Sequence, residues 1–305
     1  MPLGNRMNNT EEYSNQQNQM SFITALPQFT FDDIVLHPKT YNAIQDVLTI
    51  FSKRELVFNK WGFGRTHRKQ DKAGINLYGA PGTGKSMAAH AIAAQLKRKI
   101  LTVDYSQIES KYVGETSKNI SAMFESAKSE NAILFFDEAD ALLSKRVTNM
   151  SSSTDVSANQ TRSHLLLLIN EYNDIIIFAT NFLTNYDPAF MRRINSHIKF
   201  ELPNAENRMQ LWRMYIPKKL PTNVDISRLA NTIEGISGAD ISNATLSAAL
   251  RAARLNENMV PTEYFEEAIQ QIKQSKVENS GEEEVISKRV VSEEYVKEQL
   301  GELPS

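Results

Sequence analysis

The run Gly79-Ala80-Pro81-Gly82-Thr83-Gly84-Lys85-Ser86 sets three glycines, a lysine and a hydroxyl within eight residues. Glycines at these positions permit torsions and close approaches that a Cβ would forbid. Successive N–H groups of such a loop, with the N-terminus of a following helix, can surround phosphate oxygens. Lys85 would supply a point charge to the β and γ phosphates, and Ser86 a hydroxyl ligand to Mg2+. The spacing is G-x-x-x-x-G-K-[ST], and its context makes it count. An apolar run, Ile75 to Tyr78, enters the loop and a helical pattern leaves it from Lys85.

A second group of residues could make a bound phosphate react. Ile133-Leu134-Phe135-Phe136 is an apolar run that ends in Asp137 and Glu138. As a buried strand it would deliver two carboxylates at its carboxyl end, beside the phosphate loop of an open α/β sheet. Asp137 is then a candidate to hold Mg2+, directly or through water, and Glu138 to orient and deprotonate an attacking water. Two adjacent acids alone also fit an ordinary strand-to-loop transition; the phosphate loop upstream favours the chemical reading. Asn181 follows Phe178-Ala179-Thr180. Its amide can donate to a γ-phosphate or position the water, although asparagine is also a common turn residue.

Positioning these groups requires strands that end near one another. Five short apolar runs are expected as strands: 75–78, 100–103, 133–136, 175–179 and 197–200. Helical spacing lies between them; Ile120, Met123, Phe124 and Ala127 fall at i, i+3, i+4 and i+7 on one face. Alternating strands and helices imply a parallel sheet covered on both sides. A helix is expected over 41–58. Near Pro203 the strand signals stop, and helices are expected over 206–215, 225–232, 239–254 and 262–273, with Ser237 and Pro261-Thr262 as start signals. These patterns divide the chain into an N-terminal arm (1–27), an α/β domain (28–203), a small helical domain (204–275) and an acidic tail (276–305). The arm, rich in Asn, Gln and Ser, is expected to be disordered or to order on a partner.

Bulk composition excludes several function classes. The 305 residues contain no cysteine, which removes disulfides, thiolate catalysis and cysteine–zinc sites. The formal net charge of -2 gives no global basic field for nucleic acid. Lys97-Arg98-Lys99 reads as a solvated helix end. No run approaches the roughly 20 apolar residues that span a bilayer, and the polar start carries no signal-like core. A cytoplasmic protein without a membrane partner is expected.

In this order the pieces resemble the AAA+ ATPases, and among them the AAA group that remodels proteins, from about Phe31 to Lys273. The resemblance implies a P-loop NTPase fold, a parallel β-sheet flanked by helices with a small C-terminal helical lid, and ATP and Mg2+ as cofactors. Phe31-Asp32-Asp33-Ile34 is similar to the segment that borders the adenine. Asn181 matches the sensor asparagine. Asp187-Pro188-Ala189-Phe190-Met191-Arg192-Arg193 matches the stretch whose arginine fingers reach the neighbouring subunit's γ-phosphate, which implies a homo-hexameric ring. Ile194-Asn195-Ser196-His197 departs from many relatives and leaves the division of labour between the two arginines open. Gly238 and Ala239, within Gly235 to Asp240, match the start of a lid helix that packs near the base.

Ser110 to Glu115 resembles a pore loop in which Lys111, Tyr112 and Val113 line a central channel and grip a polypeptide. The Ser-rich segment 147–158 would be a mobile second loop near it. The stretch from Asn181 to Arg193, with Ile198-Lys199-Phe200, is similar to pachytene-checkpoint-type remodellers. That likeness implies a HORMA-domain protein as substrate, with or without an adaptor, in antiphage defence; Ala239 stands where the eukaryotic branch tends to carry a sensor arginine. No H-E-x-x-H motif is present, so a built-in metalloprotease is not expected. Other readings remain open. A nucleic-acid motor or loader is disfavoured by the charge balance. A non-hydrolysing ATP-binding scaffold is disfavoured by Lys85, Asp137 and Glu138. A third is a different AAA chaperone, such as one serving a contractile injection system.

Overall fold

The apolar runs assemble as five parallel strands in the computed structural model, which describes residues 22–67, 73–104, 115–143, 153–181 and 186–280. The strands are β1 (Ala73–Gly79), β2 (Lys99–Asp104), β3 (Ala132–Asp137), β4 (Ile175–Thr180) and β5 (Ser196–Phe200). Their order is β2-β3-β4-β1-β5. β4 therefore lies between the strand that feeds the phosphate loop and the strand that ends in the two acids. The register sets Phe178 against both Asn76 and Phe136.

Alternation along each strand sends successive side chains to opposite faces. On β3, Ile133 and Phe135 join a cluster with Ile75, Leu77, Ile177 and Ile198. Leu134 and Phe136 join the opposite cluster with Ile176 and Phe178. The first face is covered by α1 (Pro38–Ser52) and α2 (Lys85–Gln95). The second is covered by α3 (Glu115–Ser129) and α5 (Ser153–Glu171), with the short helix α4 (Asp140–Leu143) between them in sequence. Ile120, Met123, Phe124 and Ala127 are all buried on α3, as their spacing requires. A one-turn helix, α6 (Pro188–Met191), is capped by the Asp187 side chain before β5 begins.

After Phe200 the chain becomes helical: α7 (Ala205–Tyr215), α8 (Ile226–Thr232), α9 (Gly238–Arg254) and α10 (Thr262–Ser280). These share a separate core in which Trp212 meets Phe265 edge-on at 5.9 Å. Their starts are chemically defined. Asn204 caps α7, Asp225 caps α8, and Ser237 with Asp240 forms a capping box at α9.

Several local expectations need correction. The helix expected over 41–58 is two elements: α1 ends at Ser52, and a π-helical turn, Glu55–Lys60, follows. The break falls at Lys53, whose φ of -120° is not helical. Residues 22–27 are not part of a free arm. Ala25 and Ile100 exchange two backbone hydrogen bonds of 2.9 Å, because β2 is an edge strand with open N–H and C=O groups. Residues 153–158 belong to α5 rather than to a loop, and α10 runs past Lys273 to Ser280. Arg98 is no solvated helix end. It pairs with both carboxylate oxygens of Asp174 at 2.6 Å and donates to the Asn131 and Ala132 carbonyls.

Candidate functional site

Strand order decides which side chains meet. β1 delivers its loop at Gly79, β3 delivers Asp137, and β4, wedged between them, ends one residue before Asn181. Lys85, at the start of α2, is 8% exposed. Its ammonium donates to the Gly79 carbonyl at 2.8 Å, the Ala80 carbonyl at 3.0 Å and Asn181 Oδ1 at 3.0 Å. Beside it, the Ser86 hydroxyl donates to Asp137 Oδ2 at 2.8 Å. Burial pushes the Lys85 ammonium below the usual lysine range, and the carboxylates of Asp137 and Asp140 partly oppose this. Phosphate oxygens at this position would oppose it further.

The loop backbone is held in an uncommon path. Gly79 has φ +148°, and a Cβ there would fall 2.0 Å from the Phe200 carbonyl oxygen. Thr83 Oγ1 closes the turn on the Ala80 carbonyl at 2.8 Å. Gly82 has φ +74°, and a Cβ on it would stand 2.6 Å from Ser237 Oγ and 2.8 Å from Ala239 Cβ. The loop and the α9 N-terminus thus touch through Gly82, and Ala239 N–H donates to its carbonyl at 3.2 Å. Gly84 caps α2, and a Cβ on it would lie 3.5 Å from Ile34 Cγ2.

Above the loop lies a cleft of about 350 Å³. Its walls include Ile34 and the residues after it, Pro81 to Ser86, Asp137, Glu138, Asn181, Gly238 and Ala239. Every expected nucleotide-contacting residue except Gly79 and Ala80 lines it, and those two hold Lys85 from below. Glu138 is exposed and has φ +48°, an uncommon conformation for a residue with a side chain, with its N–H donating to Asp137 Oδ1 at 3.0 Å. Strand β3 ends in this turn, and the strain there fits a functional residue. Ser86 and Asp137 present hard oxygen ligands of the kind Mg2+ takes, with phosphate and water oxygens to complete its shell.

Arg192 and Arg193 are not part of this assembly. The Arg193 backbone packs against Gly74, at the opposite end of β1 from Gly79, and Asn195 N–H donates to the Gly74 carbonyl at 2.9 Å. Five residue steps of strand separate Gly74 from Gly79, roughly 16 Å. Arg192 is exposed. Arg193 donates through Nε to Asn170 Oδ1 at 2.6 Å and through Nη1 to the Ala189 carbonyl. Lys111, Tyr112 and Val113 lie outside the described residues.

Residues 75–202 match the family model "ATPase family associated with various cellular activities (AAA)". Residues 75–202 form an AAA P-loop domain. Over 258 residues it is 31% identical to the proteasome-activating nucleotidase of Saccharolobus islandicus (strain M.14.25 / Kamchatka #1), covering 82% of this chain and 64% of that protein. The namesake of Saccharolobus solfataricus is 31% identical over 263 residues, covering 83% of this chain and 65% of the relative. That of Methanopyrus kandleri is 30% identical over 264 residues, covering 84% and 59%. This chain therefore spans under two thirds of the length of these curated relatives.

Two parts of the AAA site escaped the sequence reading. Asp140 accepts the Asn181 N–H through Oδ1 at 3.2 Å and Oδ2 at 3.1 Å, and the Tyr186 hydroxyl at 3.0 Å. Burial first of all raises the Tyr186 phenol to about 12, so it stays protonated and donates. Asp140 thereby fixes the backbone that carries the Asn181 amide; the spacing Asp137-Glu138-Ala139-Asp140 was the available signal. The second part is the face of α7, where Asn207, Leu211 and Tyr215 line the cleft at i, i+4 and i+8.

The contact at Gly82 yields a test. Gly82→Ala forces a Cβ against Ser237 and Ala239 at a positive φ, a strain of roughly 1–3 kcal/mol. Nucleotide affinity should fall about five- to a hundredfold in a fluorescence titration, with the fold intact by circular dichroism. Unchanged affinity would show that the loop and α9 do not act together.

Proposed function

We propose that this protein hydrolyses ATP to ADP and phosphate and couples the cycle to the remodelling of polypeptides within a ring of identical subunits. One observation carries the hydrolytic part: two hydrogen-bonded pairs, Lys85 with Asn181 and Ser86 with Asp137, lie beneath a cleft whose rim holds Glu138. The loop N–H groups and Lys85 bind the phosphates. Ser86 and Asp137 would hold Mg2+, which when bound neutralises charge on the β and γ oxygens. Glu138 takes a proton from the attacking water, and Asn181 orients that water against the γ-phosphate. In this reading 28–203 is the ATPase domain, 204–275 its lid, and the protein is cytoplasmic.

Distance supports the ring. Arg192 and Arg193 sit at the amino end of β1 while the phosphate site sits at its carboxyl end. They are too far from their own nucleotide to touch it, which supports a role for their charge at a neighbour's. A head-to-tail contact of this kind gives a ring where its rotation closes, a hexamer by the family resemblance.

The relatives are named for activating a proteasome, which supports protein as the material moved, as does the likeness of Lys111-Tyr112-Val113 to a pore loop. The narrower reading, a HORMA-domain substrate in antiphage defence, rests on the stretch from Asn181 to Arg193.

Glu138→Gln should bind ATP while turnover falls about 100-fold or more; steady phosphate release at the normal rate would sink the assignment. Substrate trapped by this variant and identified by mass spectrometry decides whether a HORMA-fold protein is involved. Arg193→Ala should lose most ATPase activity, and mixing it with Glu138→Gln subunits should restore part of it. No recovery in mixed rings argues against action in trans. Tyr112→Ala should keep much of the ATPase yet abolish processing of the trapped substrate.

A further inference from the structure

Tyr186 is 7% exposed and belongs to the apolar cluster that includes Phe136, Phe178 and Phe190. A phenylalanine would supply the same ring to that cluster, and a buried hydroxyl is unfavourable there without a partner. The partner is Asp140 Oδ1, which accepts from the Tyr186 hydroxyl at 3.0 Å. The chain beside Tyr186 is anchored to the same short helix that Asp140 opens. Asp187 N–H donates to the Leu143 carbonyl at 2.9 Å, at the far end of α4. The Asp187 side chain in turn caps α6 through Ala189 N–H at 2.8 Å.

What the hydroxyl adds is orientation. The Asn181 N–H is shared by the two oxygens of Asp140, at 3.2 and 3.1 Å. The χ2 torsion of an aspartate is soft, so this contact by itself leaves the carboxylate free to turn. A second donor on Oδ1 fixes the turn, and with it the backbone of Asn181. The start of α4 is also tied to β4, because Ala139 N–H donates to the Ala179 carbonyl at 2.9 Å. Asn181 itself lines the cleft, with its Oδ1 on Lys85 Nζ at 3.0 Å. Its backbone is thus set from one side by Asp140 and its side chain from the other by Lys85.

We propose that Tyr186 is a positioning residue for ATP hydrolysis: its hydroxyl orients the Asp140 carboxylate, which holds Asn181 where its amide meets the γ-phosphate and the attacking water. The inference rests on the ATPase reading and adds to it a residue that touches neither nucleotide nor water. Misplacing a positioning group by about 1 Å costs a reaction about a hundredfold, so the loss of this hydroxyl falls on kcat. ATP binding depends on the loop N–H groups, Lys85 and Ser86, and stays as it was.

The test compares steady-state ATP hydrolysis by the full-length protein and by Tyr186→Phe, which keeps the ring and removes only the hydroxyl. kcat should fall about tenfold or more with KM unchanged, and circular dichroism should show the fold intact. A lowered thermal midpoint with kcat intact would mark the hydroxyl as structural and overturn the inference, as would a raised KM at full kcat. Asp140→Asn should also lower kcat, and the double variant should be no slower than Asp140→Asn alone, because the two residues act as one unit. Losses that add would overturn the inference. Full kcat in Asp140→Asn would do so however Tyr186→Phe folds. No turnover by the unmodified protein would overturn the ATPase reading as well.

Discussion

A buried ammonium with no carboxylate in direct contact among the described residues organises this molecule. Lys85 is held by two backbone carbonyls and the Asn181 amide oxygen, three neutral acceptors that satisfy its hydrogen bonds but do not cancel its charge. Burying an uncompensated charge is costly, and the nearby carboxylates offset only part of it. Such a site is complementary to an anion that has yet to arrive. The strand order makes it possible, because β4 alone can place an asparagine between a loop from β1 and an acid from β3.

The same loop is mechanically tied to the helical region. Gly82 is in van der Waals contact with Ser237 and Ala239, and these residues belong to the capping box that starts α9. Asp240 accepts at its Oδ2 from Ser237 N–H, Ser237 Oγ and Lys276 Nζ, the last at 2.6 Å from α10. The phosphate loop is thus in contact with the N-terminus of α9, and that turn in turn, through Asp240, with Lys276 near the end of α10. Gly82 is thus constrained twice, by its own torsion and by what stands against it.

Much of this site was legible in the sequence because its parts are local. A phosphate loop is contiguous, and its glycines, lysine and serine keep their spacing in any fold that uses them. Asp137 and Glu138 were legible because an apolar run delivers them. The residues missed are those whose role depends on who lies opposite. Asp140 acts by gripping the backbone of Asn181, 41 positions away, and Asn207 joins the cleft wall with its Nδ2 on the carbonyl of Leu36, 171 positions away. The fold read the same way. Strands and helix faces followed from periodicity, whereas the pairing of Ala25 with β2 depended on an edge that no local pattern reveals. Arg98 misled because a basic triplet looks solvated until Asp174, 76 positions on, is found beside it.

The two arginines show how one subunit's geometry bears on assembly. They follow α6 and lead into β5, which is parallel to β1, so they enter the sheet at its amino edge. Parallel strands all carry their loops of like kind at one end, which is why the phosphate loop, Glu138 and Asn181 collect at the carboxyl edge. No rotamer change moves a side chain from one edge of a sheet to the other. Arg193 is moreover anchored to Asn170, the penultimate residue of α5, so its position is coupled to the helix that covers one face of the sheet. A cationic group fixed at one edge and an anion site fixed at the other are complementary between copies and cannot meet within one. Repetition of that contact, head to tail, is what the proposed ring requires.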